Sequence, residues 1–118
     1  MNAHPSYSAL EPLLKKYPRA AGPLFQAYND LSLAQRWADV QPLDLPGWAR
    51  GALKGLRPGT DSTTFVVPCA LVESLSAAWI RAAFQGLGDP DALYLAIVSD
   101  DSSLVYYKLS RGIVKPPL

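Results

Sequence analysis

Few side chains in this sequence are suited to catalysis. The only histidine, His4, lies close to the first residue, where a chain is usually mobile, so it is a poor choice for a general base. The only cysteine, Cys69, follows Pro68 at the end of a predicted strand, and the ordinary role of such a residue is that of a buried small apolar side chain. Neither a Ser-His nor a Cys-His pair for nucleophilic catalysis is indicated.

Metal chemistry is not favoured either. Half of the signature of metal-dependent nucleases is present as Pro90-Asp91, but neither following lysine, Lys108 or Lys115, has an acidic residue two positions before it. There is no glycine-rich phosphate loop. We therefore expect no metal site and no cofactor. Most aspartates fall in predicted turns, where a solvated carboxylate is the default: Asp61, Asp89, Asp91, Asp100 and Asp101.

The best basic cluster for contacting phosphates consists of Arg50, Lys54 and Arg57. It is not interleaved with aromatic residues, as a stacking platform for single-stranded nucleic acid would be, so solvated surface is the favoured interpretation. The formal net charge of +1 gives the whole chain no field that attracts nucleic acid. Direct RNA binding through this cluster stays open as a second hypothesis. A weaker cluster comprises Lys15, Lys16 and Arg19.

Length and composition limit the class of protein. A chain of 118 residues, 49% of them hydrophobic and 18% charged, suits one globular domain over residues 1–118. Its apolar runs are far shorter than the roughly 18 residues of a membrane helix, and residues 1–17 lack the apolar region of a signal peptide. A single cysteine fits a reducing compartment. We expect a soluble protein of the cytosol or nucleus, without membrane insertion.

Two helices are predicted near the start of the chain. Tyr7, Leu10, Leu14 and Tyr17 share one helical face, but Pro12 requires that the helix begin near Glu11 or bend there, and this boundary stays open. The second helix follows Gly22-Pro23, which stop one element and start the next. Its apolar stripe is Leu24, Ala27, Tyr28, Leu31, Ala34 and Trp37.

The middle of the chain predicts short strands. Residues 38–45 alternate in polarity, and Pro42 allows only a short or edge strand there. Residues 48–56 suit either a helix or a strand. We prefer a strand, with Arg50 and Lys54 on one face, because Gly51 and Gly55 would each cost about 1 kcal/mol inside a helix. Residues 63–68 form a β-branched strand that Pro68 ends.

The last third predicts a helix and a hairpin. A wide apolar stripe begins at Val72 and ends before Gly86 and Gly88, which is typical of a helix buried against a sheet. Residues 93–98 are apolar on both faces, as in a central strand. The polar residues 99–103 then turn the chain into a final strand. The predicted fold is α/β in the broad sense, of the α+β kind, with N-terminal helices packed on a mixed sheet and a closing C-terminal hairpin.

The final strand, residues 104–109, is apolar on both faces. An uncovered edge of this composition invites aggregation unless charge, proline or a bulge blunts it, and only a lysine does so here. We therefore predict that a partner covers the strand, by sheet extension or by packing on its tyrosines. The alternative is that the strand lies inside the sheet. One face carries Val105, Tyr107 and Leu109, and the other carries Leu104, Tyr106 and Lys108.

Four segments carry a resemblance to a known family: residues 4–7 (HPSY), 66–68 (VVP), 75–84 and 95–109 (LAIVSDDSSLVYYKL). Through them the chain resembles the smallest, non-catalytic subunits of the eukaryotic tRNA-splicing endonucleases. Residues 95–109 are also similar to the C-terminal segment of the archaeal splicing endonucleases. The resemblance covers nearly the whole chain and is most specific in residues 95–109.

The resemblance implies a nuclease-like fold and a structural role. Family members work as heterotetramers of two catalytic and two structural subunits, which implies that this chain pairs with the catalytic subunit that cuts the 3′ splice site and meets pre-tRNA through the complex. Catalytic members carry a Tyr-His-Lys triad, whereas residues 43–71 here contain no histidine. The implied location is the nucleus, or alternatively the cytoplasmic face of an organelle membrane.

The resemblance also implies two contacts. The last strand of family members pairs antiparallel with its counterpart in the partner, which corresponds here to residues 104–109. The acidic turn of structural subunits inserts into a pocket of a neighbouring subunit, which corresponds to Asp100 and Asp101, although this turn lacks the glycine often found in the archaeal form. Without its partner, the chain is expected to form a homodimer through the same strand. A cryptic nuclease is the least favoured hypothesis.

Overall fold

The computed structural model describes residues 5–45, 50–71 and 76–110. Within these ranges there are three α-helices, α1 (Pro5–Lys16), α2 (Ala21–Asn29) and α3 (Ala77–Gly86). A 3₁₀ turn, Pro18–Ala20, precedes α2, and a π-helical turn, Asp30–Ala34, follows it. The strands are β1 (Ala38–Leu45), β2 (Arg50–Leu56), β3 (Thr63–Ala70), β4 (Ala92–Val98) and β5 (Leu104–Ser110).

The five strands form one mixed sheet in the order β1-β2-β3-β4-β5. All neighbouring strands are antiparallel except β3 and β4, which are parallel. Parallel neighbours need a crossover connection, and the segment between β3 and β4 contains α3. Strands β4 and β5 form the closing hairpin. The predicted α+β class, with helices packed on a mixed sheet, is confirmed.

Helices α1 and α2 cover one face of the sheet. Leu10 and Leu13 of α1 and Leu24 and Ala27 of α2 form a buried cluster with residues of β2, β3 and β4. Gly51 of β2 makes this close approach possible, because a Cβ atom there would lie 2.9 Å from Leu13 Cδ1 and 2.9 Å from Leu24 Cδ2. The glycine that counted against a helix therefore has a packing role in a strand.

Helix α3 packs on the opposite face. Its Ala83 and Phe84 are buried against Val67 of β3 and Leu93 of β4, among others. The helix begins at Ala77, since the extended Ser76 caps it by accepting a hydrogen bond from the Trp79 backbone N–H at 3.0 Å. Of the helix predicted from Val72, the part from Ala77 onward is present as α3. Residues 72–75 lie outside the described residues.

Other predicted boundaries change as well. Helix α1 runs through Pro12, so the alternative start near Glu11 is wrong. The second helix stops before Trp37, because α2 passes into the π-helical turn, which ends at Ala34. The strand preferred for residues 48–56 is present as β2 from Arg50 onward, and Trp48 lies outside the described residues. Among the residues described, none of the helices has the length and apolarity needed to cross a bilayer.

Candidate docking strand and acidic turn

Strand β5 lies at an edge of the sheet within the described residues. It pairs with β4 along its whole length, from Leu104 opposite Val98 to Ser110 opposite Ala92, without a register shift. Its other side has no neighbouring strand in the part of the chain that the structure describes. The main-chain groups on that side are the ones that a strand from another chain would pair with.

The two edges of the sheet differ in their capacity to accept a strand. The β1 edge contains Pro42, an irregular register between Ala38 and Gln41, and a left-handed backbone at Asp39, where φ is 54°. Proline and bulges are devices that prevent edge-to-edge pairing. Strand β5 contains no proline, no register shift and no residue with positive φ. The β5 edge is therefore the one suited to pairing.

Two exposed side chains of β5 form an apolar strip on the α3 side of the sheet, and the third exposed side chain, Lys108, is on the opposite face. Val105 and Tyr107 are 44% and 54% exposed, and we refer to these two residues as the β5 strip. Leu109, the next residue on this face, is partly buried against the cluster around α3. The β5 strip is thus the part of this face of β5 that the described residues leave largely uncovered.

The opposite face of β5 is engaged within the chain. Leu104 and Tyr106 pack against the cluster beneath α1 and α2. The Tyr106 hydroxyl donates a hydrogen bond to Asp30 Oδ2 at 2.6 Å. Burial, together with the neighbouring carboxylate, raises the pKa of Tyr106 well above its ordinary value. Of the two tyrosines predicted to meet a partner, Tyr107 is presented to solvent and Tyr106 is held by its own fold.

The acidic turn between β4 and β5 has a defined conformation. The Ser99 N–H donates to the Ser103 carbonyl at 2.9 Å, and the Ser102 N–H donates to the Ser99 carbonyl at 2.9 Å. Asp101 Oδ1 accepts hydrogen bonds from the Ser103 hydroxyl at 2.6 Å and the Ser103 N–H at 3.0 Å, which lower the pKa of Asp101. Asp100 is exposed and makes no hydrogen bond or ion pair within the described chain.

Ser102 occupies the conformation that a glycine would adopt most easily. Its φ is 68°, in the left-handed region, and its carbonyl accepts a hydrogen bond from the Gln26 side chain of α2. The turn therefore has a left-handed residue although it contains no glycine, and a hydrogen bond holds it against α2.

Replacing Ser102 with glycine is expected to raise the free energy of unfolding by about 0.5 kcal/mol, because glycine removes the left-handed strain of a residue with a Cβ atom. Ser102→Val is expected to lower it by about 1 kcal/mol, since a β-branched residue tolerates this conformation least. Urea unfolding of both variants measures the difference. Equal stability of the two variants would contradict a left-handed residue 102.

The basic cluster proposed for RNA is not one surface. Arg50 is only 8% exposed; its Nη1 donates to the Pro68 carbonyl at 3.0 Å, and its guanidinium lies 5.2 Å from the Trp79 ring centroid. Lys54 lines a small cavity of about 180 Å³ with Asp39. Arg57 lies beyond β2 and donates from Nη1 to the Tyr94 hydroxyl at 2.8 Å. Arg50 and Lys54 share a face as predicted, but Trp79 covers Arg50.

The remaining candidates for chemistry are placed as follows. Cys69 lies in β3 and is buried, which confirms its predicted role as a small core side chain. His4 lies outside the described residues. No group of three potential metal ligands occurs among the residues that the structure describes.

The fold and this site define a class: a small α+β domain that leaves one regular sheet edge open to another strand. A family model described as Sen15 protein matches residues 26–117. The human tRNA-splicing endonuclease subunit Sen15 is 32% identical over 123 aligned positions, which cover 98% of this chain and 72% of the human protein. The mouse subunit of the same name is 31% identical, with 98% and 73% covered.

A fungal relative gives the same result. The probable tRNA-splicing endonuclease subunit sen15 of Schizosaccharomyces pombe is 31% identical over 109 positions, which cover 75% of this chain and 76% of that protein. The chain therefore belongs to the Sen15 family, and the resemblance found in its sequence is confirmed.

Proposed function

We propose that this chain is a non-catalytic structural subunit of a tRNA-splicing endonuclease, which pairs through β5 with a catalytic subunit and so supports intron excision from pre-tRNA. Membership of the Sen15 family supports a role in tRNA splicing, since the relatives are named as subunits of that endonuclease. The observation that carries the pairing is the regular β5 edge, without proline or register shift, together with the exposed Val105 and Tyr107.

Sheet extension by a partner strand accounts for two features of the β5 edge, its unpaired main-chain side in the described residues and its exposed apolar strip. An antiparallel strand from the partner would satisfy the outward main-chain groups of β5, which gives affinity without requiring a particular sequence. Apolar side chains of the partner would then cover the β5 strip. Complete burial of a side chain such as Val is worth about 1.5–3 kcal/mol, so two such residues form a small energetic centre for the interface.

The acidic turn gives the proposal a second contact. Asp100 is exposed at the tip of a turn that is fixed by its own hydrogen bonds and by Gln26. A charged side chain on an ordered turn loses little conformational entropy when it meets a cationic pocket. We propose that Asp100 contacts a neighbouring subunit, while Asp101 holds the turn in shape through Ser103.

The non-catalytic role is supported by the sequence itself. The one histidine, His4, precedes the helices and strands, and residues 43–71 contain none at the place where the resemblance puts a catalytic histidine. Chemistry at the splice site would then be the task of the partner. In this arrangement the chain contributes an interface and holds the catalytic subunit in position.

Measuring the molar mass of the chain alone, and after mixing with the catalytic subunit, tests the proposal. Light scattering on a sizing column is expected to show a one-to-one complex with the catalytic subunit. The isolated chain is expected to form a homodimer through β5, which the complex replaces. A chain whose mass and elution stay unchanged after mixing would overturn the proposal.

A further inference from the structure

A polar recess lies at one end of the sheet, on the face that α1 and α2 cover elsewhere. In the strand register Gly55 is opposite Thr64, Val66 is beside Tyr94, and Tyr94 is opposite Lys108. Because side chains alternate between the faces of a sheet, Thr64, Tyr94 and Lys108 project to the same side. Arg57, just beyond the end of β2, joins them through its hydrogen bond with Tyr94.

These four residues line a cavity of about 290 Å³, to which Ser62 and Asp91 also contribute. Two lining residues are cations and one is a carboxylate, so the recess has a net positive charge. Its volume is at the small end of the roughly 300–1,000 Å³ typical of ligand pockets. The recess therefore suits a small anionic group, such as a single phosphate, rather than a whole nucleotide.

The Arg57 side chain is positioned by an aromatic residue. Its Nη1 donates to the Tyr94 hydroxyl at 2.8 Å, and its guanidinium carbon lies 5.4 Å from the centre of the Tyr94 ring. Tyr94 is itself half-buried against the core, so it provides a fixed support. A guanidinium group has five N–H donors in a rigid fork, most of which this contact leaves available for an anion.

Within the described residues, neither cation of the recess forms an ion pair. Over the described ranges, no carboxylate oxygen lies within 4.0 Å of a side-chain nitrogen of Arg57 or Lys108. By contrast, the exposed cations Lys15 and Lys16 both pair with carboxylates, at 3.5 Å and 2.6 Å. Uncompensated cations that converge with hydroxyl groups are the usual means of holding a phosphate.

We propose that this recess binds a backbone phosphate of an RNA chain, with Arg57 and Lys108 as its charged contacts. This inference rests on the proposed function, in which the complex holds pre-tRNA. Lys108 and the β5 strip are on the same strand but on opposite faces of the sheet, so RNA in the recess and a partner on the strip occupy different surfaces. We expect the contact to be independent of RNA sequence, because phosphate contacts carry no base identity and Arg57 already lies over the Tyr94 ring.

Salt-dependent RNA binding by the complex with the catalytic subunit tests this site. The probe is a fluorescein-labelled oligouridylate, followed by fluorescence anisotropy over a series of KCl concentrations. For the double variant Arg57→Gln, Lys108→Gln, we expect the Kd to rise about tenfold at low salt. The slope of log K against log salt is expected to fall by about 0.7 for each lost phosphate contact.

A matched control removes the same charge elsewhere. The double variant Arg36→Gln, Arg81→Gln also loses two positive charges, but these residues lie just after the π-helical turn and in α3, and neither lines the recess. It is expected to change the Kd by less than about twofold. If the recess variant and the control bind RNA equally, the proposal is overturned.

Two further measurements separate this proposal from the docking model. The molar mass of each variant complex shows whether assembly is intact, and Arg57→Gln alone, which lies outside β5, is expected to assemble normally and still lose several-fold in affinity. If the wild-type chain forms no complex with the catalytic subunit, the same titration on the isolated chain tests whether the recess binds RNA. If inorganic phosphate binds in an Arg57-dependent way but oligouridylate does not, the site takes small anions and RNA binding by it is disproved.

Discussion

Changing Val105 and Tyr107 together to aspartate is expected to abolish co-purification with the catalytic subunit. These residues form the β5 strip, where each is about half exposed. In the proposed complex both become buried, and two carboxylates without partners are strongly unfavourable there. Truncation of the aromatic anchor alone, Tyr107→Ala, is expected to weaken association by ~2 kcal/mol or more, as is typical of an interface centre.

The fold itself should tolerate this double change. Because both side chains are exposed in the single chain, we expect the free energy of unfolding of the monomer to fall by no more than about 1 kcal/mol, mainly from the low β-propensity of aspartate. Affinity capture from co-expressing cells measures association, and circular dichroism during thermal unfolding measures the fold. The homodimer expected for the isolated chain should dissociate in parallel.

Leu33→Asp is the appropriate control for the β5 strip. Leu33 is 64% exposed and lies in the π-helical turn after α2, outside the sheet. The change replaces an exposed apolar side chain with one carboxylate, as each of the two substitutions in β5 does, but it leaves the β5 edge intact. We expect it to co-purify as the wild type does. If the Val105→Asp, Tyr107→Asp variant also co-purifies normally, docking through β5 is disproved.

The sequence predicted the helices and strands of this fold more accurately than it predicted which of their side chains other elements bury. Alternation along residues 104–109 places Val105 and Tyr107 on one face of the strand and Tyr106 on the other. It does not indicate which of the two faces the helices cover. That depends on long-range packing of α1, α2 and the π-helical turn, which brings Asp30 to the Tyr106 hydroxyl. The apolar final strand was therefore identifiable from sequence, whereas the burial of each of its tyrosines was not.

Arg50 shows the same limit in another way. Its predicted strand and its face, shared with Lys54, agree with the structure. Its burial does not follow from the sequence of β2, because it depends on Trp79 of α3 and on the Pro68 carbonyl of β3. A local pattern can place an arginine on a face, but the neighbouring elements decide whether that face meets water.

The recess was missed for a related reason. Arg57, Thr64, Tyr94 and Lys108 come from four separate parts of the chain, and only the strand register brings them together. Before the register is known, Arg57 appears beside Arg50 and Lys54 because they are close in sequence. The structure replaces that sequence cluster with a spatial one, of which Arg57 is the shared member.

Tyr106→Ala is expected to lower the free energy of unfolding by about 3 kcal/mol, near the low end for truncating an aromatic core residue, since Tyr106 is only partly buried. Tyr106→Phe keeps the ring and removes the hydrogen bond to Asp30, a bond to a charged group, so we expect it to cost about 1.5 kcal/mol. Urea unfolding measures both changes. Tyr107→Ala serves as the control and should cost less than about 1 kcal/mol.

The pH dependence of stability provides a second measurement of the environment of the Tyr106 hydroxyl, which is set first by burial and then by the bond to Asp30. The pKa of Tyr106 is raised in the folded state, so the folded chain holds this proton more tightly than the unfolded chain does. Its contribution to stability is therefore fully present below about pH 10, the ordinary pKa of tyrosine, and is lost as the pH rises above that value. Tyr106→Phe removes the titrating group, so its stability should decline less steeply in this range. Equal alkaline slopes for Tyr106→Phe and the wild type would contradict the raised pKa that burial and the bond to Asp30 give Tyr106.

The two tyrosines should then separate folding from assembly. Tyr106→Phe is expected to lose stability but to bind the catalytic subunit normally once folded, because its hydroxyl points into its own chain. Tyr107→Ala is expected to keep its stability and to lose association, because its ring faces outward at the edge. Adjacent residues with opposite effects would follow from a strand whose one face belongs to the fold and whose other face is open to a partner. If both substitutions impaired the same property, this division of β5 between fold and interface would be wrong.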